Sequence, residues 1–234
     1  FPESFAQYGG VEITIHKKIP IAAGLAGGSS NAAAVLVGID LLWKLGLTQS
    51  ELQELAAQIG SDVPFCIAGG TAIATGRGEQ LSPLPSLDNF YVVLGKHRSL
   101  AVSTVWAYST YRATFGHTYT RNIQNLESRA QAVHSGSMVK AIIHEDGAEI
   151  AQKLHNDLEK VVLPEYPKVS QLRQAFQDSG ANGAMMSGSG PTVFALCTSL
   201  EQAQQVHQQV RQIIPDPDLD LWIARMCSGG IQVS

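Results

Sequence analysis

The sequence predicts a mixed α/β fold, and three features carry that prediction. Apolar–polar alternation or short apolar runs read as strands at 11–15, 71–74, 91–94, 192–196 and 221–226. Segments with apolar residues at helical spacing lie between them, and glycine-rich turns stand where one pattern gives way to the other. Strand and helix signals alternate along the whole chain, without internal repeat or low-complexity tract, which fits α/β or α+β.

Val11-Glu12-Ile13-Thr14-Ile15 alternates as a half-buried strand does. The segment from Asn31 to Leu45 is apolar on almost every side, so it is expected to be a buried helix rather than an amphipathic one. Thr48-x-x-Glu51 is a capping-box pattern, followed by Leu52, Leu55, Ala56 and Ile59 at helical spacing and by Gly60 at the C-terminal cap. Thr71 to Ala74 reads as a strand and Gly76-Arg77-Gly78 as a turn. Leu81 to Ser86, with Pro83 and Pro85, reads as a linker. Beyond it come a buried strand at Tyr91 to Leu94 and a helix at Thr104 to Phe115, then a polar stretch of helix and loop from Gly116 to Gly147. Val169, Leu172 and Phe176 mark a helix ending at Gly180, and Gly183 to Pro191 reads as a second glycine-rich turn. Leu200, Ala203, Val206 and Val210 mark another helix, before a last strand at Leu221 to Met226.

With 234 residues, 44% hydrophobic and 15% charged, the chain is long and apolar enough to bury a core and is not a disordered polymer. Its net charge of −4 lacks the basic footprint of a nucleic-acid binder. The apolar run Ala32 to Leu42, broken by Gly38 and Asp40, is too short to span a bilayer. Cys66, Cys197 and Cys227 are odd in number and far apart, so small buried hydrophobes in a reducing cytosol are expected. The seven histidines form no HxxxH pair with an acid; His97, His117, His134 and His144 are expected to be solvated, and no protein-built metal site is expected. The chain opens at Phe1 and its first methionine is Met138, so it reads as a piece whose N-terminal part is missing.

Three constellations could carry chemistry. The first is the loop Pro20-Ile21-Ala22-Ala23-Gly24-Leu25-Ala26-Gly27-Gly28-Ser29-Ser30, which opens a helix. Glycines let backbone approach a ligand, and a helix start offers unpaired N–H groups and a positive dipole end, a combination suited to phosphate. Ser29 and Ser30 add hydroxyls for phosphate or Mg²⁺. The loop lacks the lysine of a P-loop and the spacing of a dinucleotide fingerprint; a plain strand-to-helix turn with serine caps is the alternative. The second is Asp62, either the cap of the next helix or a carboxylate able to accept a proton beside a phosphate site. The third is Ser187-Gly188-Ser189-Gly190-Pro191, a tight turn or a second close approach of backbone to ligand.

Together, in this order and spacing, the three resemble the GHMP kinase superfamily. GLAGGSSNAAAVL, GSDVPF, GGTAIATGRGEQL and HNDLEKVVLPEYPKV resemble, more narrowly, the branch whose substrate is a cytidine-diphosphate-linked methylerythritol of the non-mevalonate isoprenoid pathway. The resemblance runs from about Val11 to Met226 and is weakest over Gly116 to Gly147.

This resemblance implies a two-lobed fold. Residues 1–85 would be an ATP-binding lobe of ribosomal-protein-S5-domain-2 type without its first strands. Residues 86–234 would be an α/β sandwich, with the last strand free to return to the first lobe. It implies ATP and Mg²⁺ as cofactors and transfer of the γ-phosphate to a tertiary 2-hydroxyl. Pro20 to Ser30 would then wrap the triphosphate, Asp62 would accept the proton, Thr104 would lie near the substrate, and Gly188, Ser189 and Gly190 beside the phosphates. A monomer or homodimer in the cytoplasm, or in the plastid stroma of a plant, goes with it. A homoserine- or mevalonate-type kinase and an inactive nucleotide-binding fragment are the alternatives. The family also carries a Lys-bearing N-terminal strand, with aromatic and histidine residues that hold cytosine. Phe1 to Gly10 has room for none of these, and nothing matches Lys17 or Lys18 to that Lys, so the chain alone is expected to be inactive.

Overall fold

A computed structural model describes residues 9–119, 128 and 131–233. The sequence expectations for Phe1 to Tyr8 and for part of the Gly116 to Gly147 stretch lie outside the described residues. Three helices come first: α1 (Gly27–Trp43), α2 (Gln49–Ile59) and α3 (Val63–Ala68). Ala33, Leu52, Ala56, Val63 and Ile67 form the core between them. α2 begins with the expected capping box, in which the Glu51 N–H donates to Thr48 Oγ1 and the Thr48 N–H donates to the Glu51 carboxylate. Gly60 does follow its last turn, but in extended rather than left-handed backbone.

β1 (Thr71–Thr75) and β2 (Gln80–Leu84) then form an antiparallel hairpin. β2 overturns the linker expectation, because Leu81 to Leu84 of the Leu81 to Ser86 segment are strand, with Pro83 opposite Ala72. A two-stranded sheet is all edge, where a proline can leave its missing N–H on the unpaired side.

The second sheet has the order β4-β5-β3-β6 and is antiparallel throughout, built from β3 (Tyr91–His97), β4 (Gly183–Met186), β5 (Val193–Cys197) and β6 (Leu219–Arg225). β4 is a correction too: the first four residues of the predicted glycine-rich turn are a strand, and the turn itself starts at Ser187. The two-residue period of the strands divides the core. Val93, Ala184, Met186, Ala195 and Cys197 face the larger cluster, with α4 (Thr104–Phe115), α7 (Glu159–Glu165), α8 (Pro167–Asp178) and α9 (Leu200–Ile213). Val92 and Leu196 face a smaller one under α5 (Ser137–Ile143) and α6 (Gly147–Gln152). β6 remains at the edge of this sheet, and it is the chain beyond it that turns back, so that Ile231 packs against the α1–α3 core.

Two further expectations fail for one physical reason. Residues 11–15 form no strand and have no ladder partner among the described residues, and Ile13 is 51% exposed. Alternation makes a strand only where a neighbour offers its N–H and C=O groups. α1 buries only Ala33 and leaves Leu42 65% exposed, because α2 and α3 cover one side of it. A cavity of about 560 Å³ lies between 11–16 and the other side of α1, lined by Ile13, Ile15, Val35 and Ile39.

The returning tail fixes one backbone position strictly. Gly69 has φ +69°, and a Cβ added there would collide with the backbone of Gly229 and Gly230. Gly69→Ala is therefore expected to lower stability by more than about 1 kcal/mol, since both the left-handed backbone and the contact oppose a side chain. Urea unfolding checks this; an unchanged midpoint would mean the tail does not seat there in solution.

Candidate functional site

The loop 20–26 is held in an uncommon backbone. Ala22, Gly24 and Ala26 have φ of 50°, 70° and 48°. Left-handed backbone costs an alanine about 1–2 kcal/mol, and such residues persist where the surroundings over-determine them. Left-handed residues interleaved with right-handed ones turn N–H groups toward one concavity, an anion-binding nest. Ala26 is also the N-cap of α1 and makes no side-chain cap bond, so the first-turn N–H groups of α1 have no side-chain acceptor there. A Cβ added at Gly28 would meet nothing within 4 Å, so the helix start is open to a ligand.

The turn after β4 clamps this loop. The Ser187 hydroxyl donates to Gly24 O at 2.8 Å, and the Thr192 N–H donates to Ala23 O at 3.3 Å. A Cβ at Gly24 would collide with Ser187 O and stand 3.0 Å from Gly190 N. The turn is braced in its own lobe. Asn156 Nδ2 donates to Met186 O and Gly188 O, both at 2.8 Å, and Glu159 Oε1 accepts from the Met186 N–H (2.8 Å) and from Arg173 Nε (3.0 Å). Thr104, the first residue of α4, shares a hydroxyl–hydroxyl hydrogen bond of 2.9 Å with the buried Ser189.

Asp62 stands at the N-cap of α3 without a side-chain cap bond, and it is exposed. The capping alternative thus holds for its position and not for its side chain. Asp62 lines a cavity of about 680 Å³ together with residues 20–28 of the loop, Thr104, Gly188 and Ser189. Segments that lie far apart in sequence thus meet around one space, within the usual size range of ligand pockets. Three residues in its wall escaped the sequence reading of the site: Lys17, Asn31 and Tyr108. Lys17 Nζ donates to Gly27 O at 2.5 Å; a lysine before a glycine-rich loop was visible, but no spacing rule connected the two. Tyr108 follows Thr104 by one helical turn, the signal that could have found it.

Three of the expected residues lie off this wall. Ser30 Oγ donates to Ala26 O (3.1 Å) and lies 3.7 Å from Cys66 Sγ, so it is turned into its own helix. Ser29 and Gly190 are absent from the lining, and Gly190 has φ +79° against Met186.

The other polar expectations divide. All three cysteines are free: Cys66 is half-buried, Cys197 buried and Cys227 exposed, so the buried-hydrophobe reading fails for Cys227. Burial pushes the Cys66 thiol above its ordinary range and Cys197 up to about 11. His117, His134 and His144 are exposed as expected, but His97 is 3% exposed, because it ends β3 under the turn that precedes β6.

A glycine-rich loop feeding a helix N-terminus, faced by a carboxylate and a second glycine turn, is the site of a phosphoryl-transfer enzyme. The model for the GHMP kinases N terminal domain matches residues 2–70 and that for GHMP kinases C terminal matches residues 138–216. The chain belongs to the GHMP kinase family. Among curated relatives, the 4-diphosphocytidyl-2-C-methyl-D-erythritol kinase of Trichormus variabilis is 69% identical over 234 residues, covering 100% of this chain and 74% of that protein. The protein of the same name from Nostoc punctiforme is 70% identical over 235 residues, with the same coverage. A solved 4-(cytidine 5'-diphospho)-2C-methyl-D-erythritol kinase matches at TM-score 0.63 with 27% identity, over 88% of this chain and 67% of that one. The homoserine kinase of Cytophaga hutchinsonii shares the fold at TM-score 0.70 and 23% identity, over 92% and 69% of the two chains.

The brace behind the turn can be tested apart from the cavity wall. Asn156→Ala removes three hydrogen bonds, leaving two carbonyls without that donor and the Leu158 N–H without that acceptor, a loss of about 3 kcal/mol in stability. Nucleotide affinity is expected to fall with it, although Asn156 does not line the cavity; calorimetric titration with a non-hydrolysable nucleotide checks this, and full affinity would show that the turn needs no brace.

Proposed function

We propose that this chain carries the phosphoryl-transfer site of a kinase that moves the γ-phosphate of ATP to the 2-hydroxyl of 4-(cytidine 5'-diphospho)-2-C-methyl-D-erythritol, in the non-mevalonate route to isoprenoid precursors. The observation that carries the reading is the single cavity on which Asp62, the start of α1 and the Ser187–Thr192 turn converge. The names of the relatives support the substrate. No observation favours homoserine or mevalonate, since the likeness to homoserine kinase is one of fold.

In this reading Pro20 to Gly28 wrap the triphosphate, with the nest and the α1 dipole facing its negative charge. Ser29 and Ser30 add less than the sequence suggests, because Ser30 is committed to Ala26 O. Gly188, Ser189 and Gly190 hold the opposite side, with Gly190 acting through the shape of the turn. Asp62 accepts the proton of the attacking hydroxyl as the new O–P bond forms and ADP leaves. Its carboxylate has no capping duty, so it is available to a proton or to Mg²⁺, a cation that takes hard oxygen donors and keeps phosphate oxygens and water. When bound, Mg²⁺ supplies neutralisation of phosphate charge. Thr104, oriented by Ser189, and Tyr108 present a hydroxyl and a ring to the acceptor side. The lobe boundary at 85/86 falls between β2 and β3. No helix among the described residues is long and apolar enough to cross a membrane, and a cytoplasmic site of action goes with a charged small-molecule substrate.

Transfer is to be assayed in two proteins: the 234-residue chain, and the same chain joined to the Lys-bearing N-terminal segment of a curated relative. The joined protein is expected to phosphorylate the cytidylyl substrate in preference to homoserine and mevalonate. In the joined protein Asp62→Asn is expected to lower kcat by about 10²- to 10⁴-fold, the worth of a general base, with the ATP KM little changed. A kcat within a few-fold of the parent would remove Asp62 from the proton-transfer role, and preference for homoserine would overturn the substrate.

A further inference from the structure

We propose that His97, Asp216 and Asp218 form a binding site for a zinc-type divalent cation, at the end of β3 and apart from the kinase cavity. His97 Nδ1 lies 3.5 Å from Asp216 Oδ2 and 3.8 Å from Asp218 Oδ2, and one donor atom from each of the three residues falls within 4.8 Å of the others. Neighbouring donors of a tetrahedral ion with bonds of about 2.1 Å stand about 3.4 Å apart, so His97 needs to close on each carboxylate by only a few tenths of an ångström. His97 is 3% exposed, and its Nδ1 is buried with no hydrogen-bond partner among the described residues. A buried nitrogen aimed at two carboxylates but bonded to neither is the observation that points to a ligand between them.

The carboxylates are already oriented. Asp216 Oδ1 accepts from the Asp218 N–H at 2.9 Å, and Asp218 Oδ1 accepts from the Ser99 N–H at 3.0 Å. The Ser99 hydroxyl donates to Asp218 Oδ2 at 2.5 Å. Pro215 and Pro217 flank Asp216 and stiffen the turn, and the Arg98 N–H ties Asp218 O to β3 at 2.8 Å. Hydrogen-bonded carboxylates of this kind orient ligands at protein metal sites.

Four cations stand at the turn; Arg211 donates to the carbonyls of Asp216 and Leu219, and Arg98 to the Pro217 carbonyl and the Asp220 carboxylate, so both are committed elsewhere. Lys96 is buried and bonded to the carbonyls of His97, Arg98 and Leu100, so it is committed elsewhere. Lys168 Nζ stands 3.1 Å from Asp216 Oδ2 and 4.0 Å from Asp218 Oδ2, and its side chain is half exposed. It acts as the resident cation that a metal displaces by turning the lysine out to solvent. A bound ion would pin β3 and the turn before β6 together.

The test uses the purified chain, stripped with chelator and titrated with Zn²⁺ and Co²⁺ alone. One equivalent of Zn²⁺ is expected by calorimetry, with Co²⁺ giving the visible bands of a four-coordinate site and no thiolate charge-transfer band. Asp216→Asn and Asp218→Asn are each expected to weaken binding by about 10- to 100-fold or more, at least the loss seen when the partners of metal ligands are removed. Lys168→Met is expected to tighten it. Absence of binding, binding that both Asp variants leave intact, or a thiolate band pointing to cysteine would overturn the proposal. Should either Asp variant fail to fold, Lys168→Met decides: tighter binding supports the site and unchanged affinity overturns it.

Discussion

The contact on which the rest of the site depends is the seating of Gly24 against the turn from Ser187 to Gly190. It is made by one side-chain and one backbone hydrogen bond, the Ser187 hydroxyl on Gly24 O and the Thr192 N–H on Ala23 O. A side chain at Gly24 would occupy the space that Ser187 O fills. That contact holds Ala22 and Ala26 in left-handed backbone, which neither residue would keep unaided. The open start of α1 and the second glycine turn then come to face the same cavity as Asp62.

The turn can act as a clamp because it rests on something stiffer. Met186 is fully buried in the larger core, and the carbonyls and amide around it are held by Asn156 and Glu159, the latter carrying Arg173. Energy from sheet packing is in this way transmitted to a loop that buries little of its own surface. Asp62 completes the arrangement by what it omits: a carboxylate at an N-cap that bonds no helix N–H keeps its acceptor capacity for the cavity.

What the sequence made legible follows from how local each signal is. The capping box of α2, the helix at Thr104 to Phe115 and the strands β1, β3 and β5 rest on neighbouring residues, and they lie within a few residues of where the pattern places them. The three constellations were visible as chemistry, and the resemblance to GHMP kinases joined them. Pairing was not legible. Val11 to Ile15 alternates without a ladder partner among the described residues, and Leu81 to Leu84 pairs in spite of its proline. Nor were long-range roles. Asn156 and Glu159 sit in a motif that marks the family, yet only the fold shows them under the Ser187 turn. His97 reads as a solvated histidine until β6 and its preceding turn close over it.

The most direct measurement is the nucleotide affinity of Gly24→Ala, by calorimetry with a non-hydrolysable ATP analogue and Mg²⁺, alongside thermal unfolding. A Kd weaker by about ten-fold or more is expected, equal to at least about 1.4 kcal/mol, with the unfolding transition of the four-stranded sheet retained. A Kd equal to that of the parent chain would contradict it, because the loop would then hold its shape without the contact that Gly24 permits.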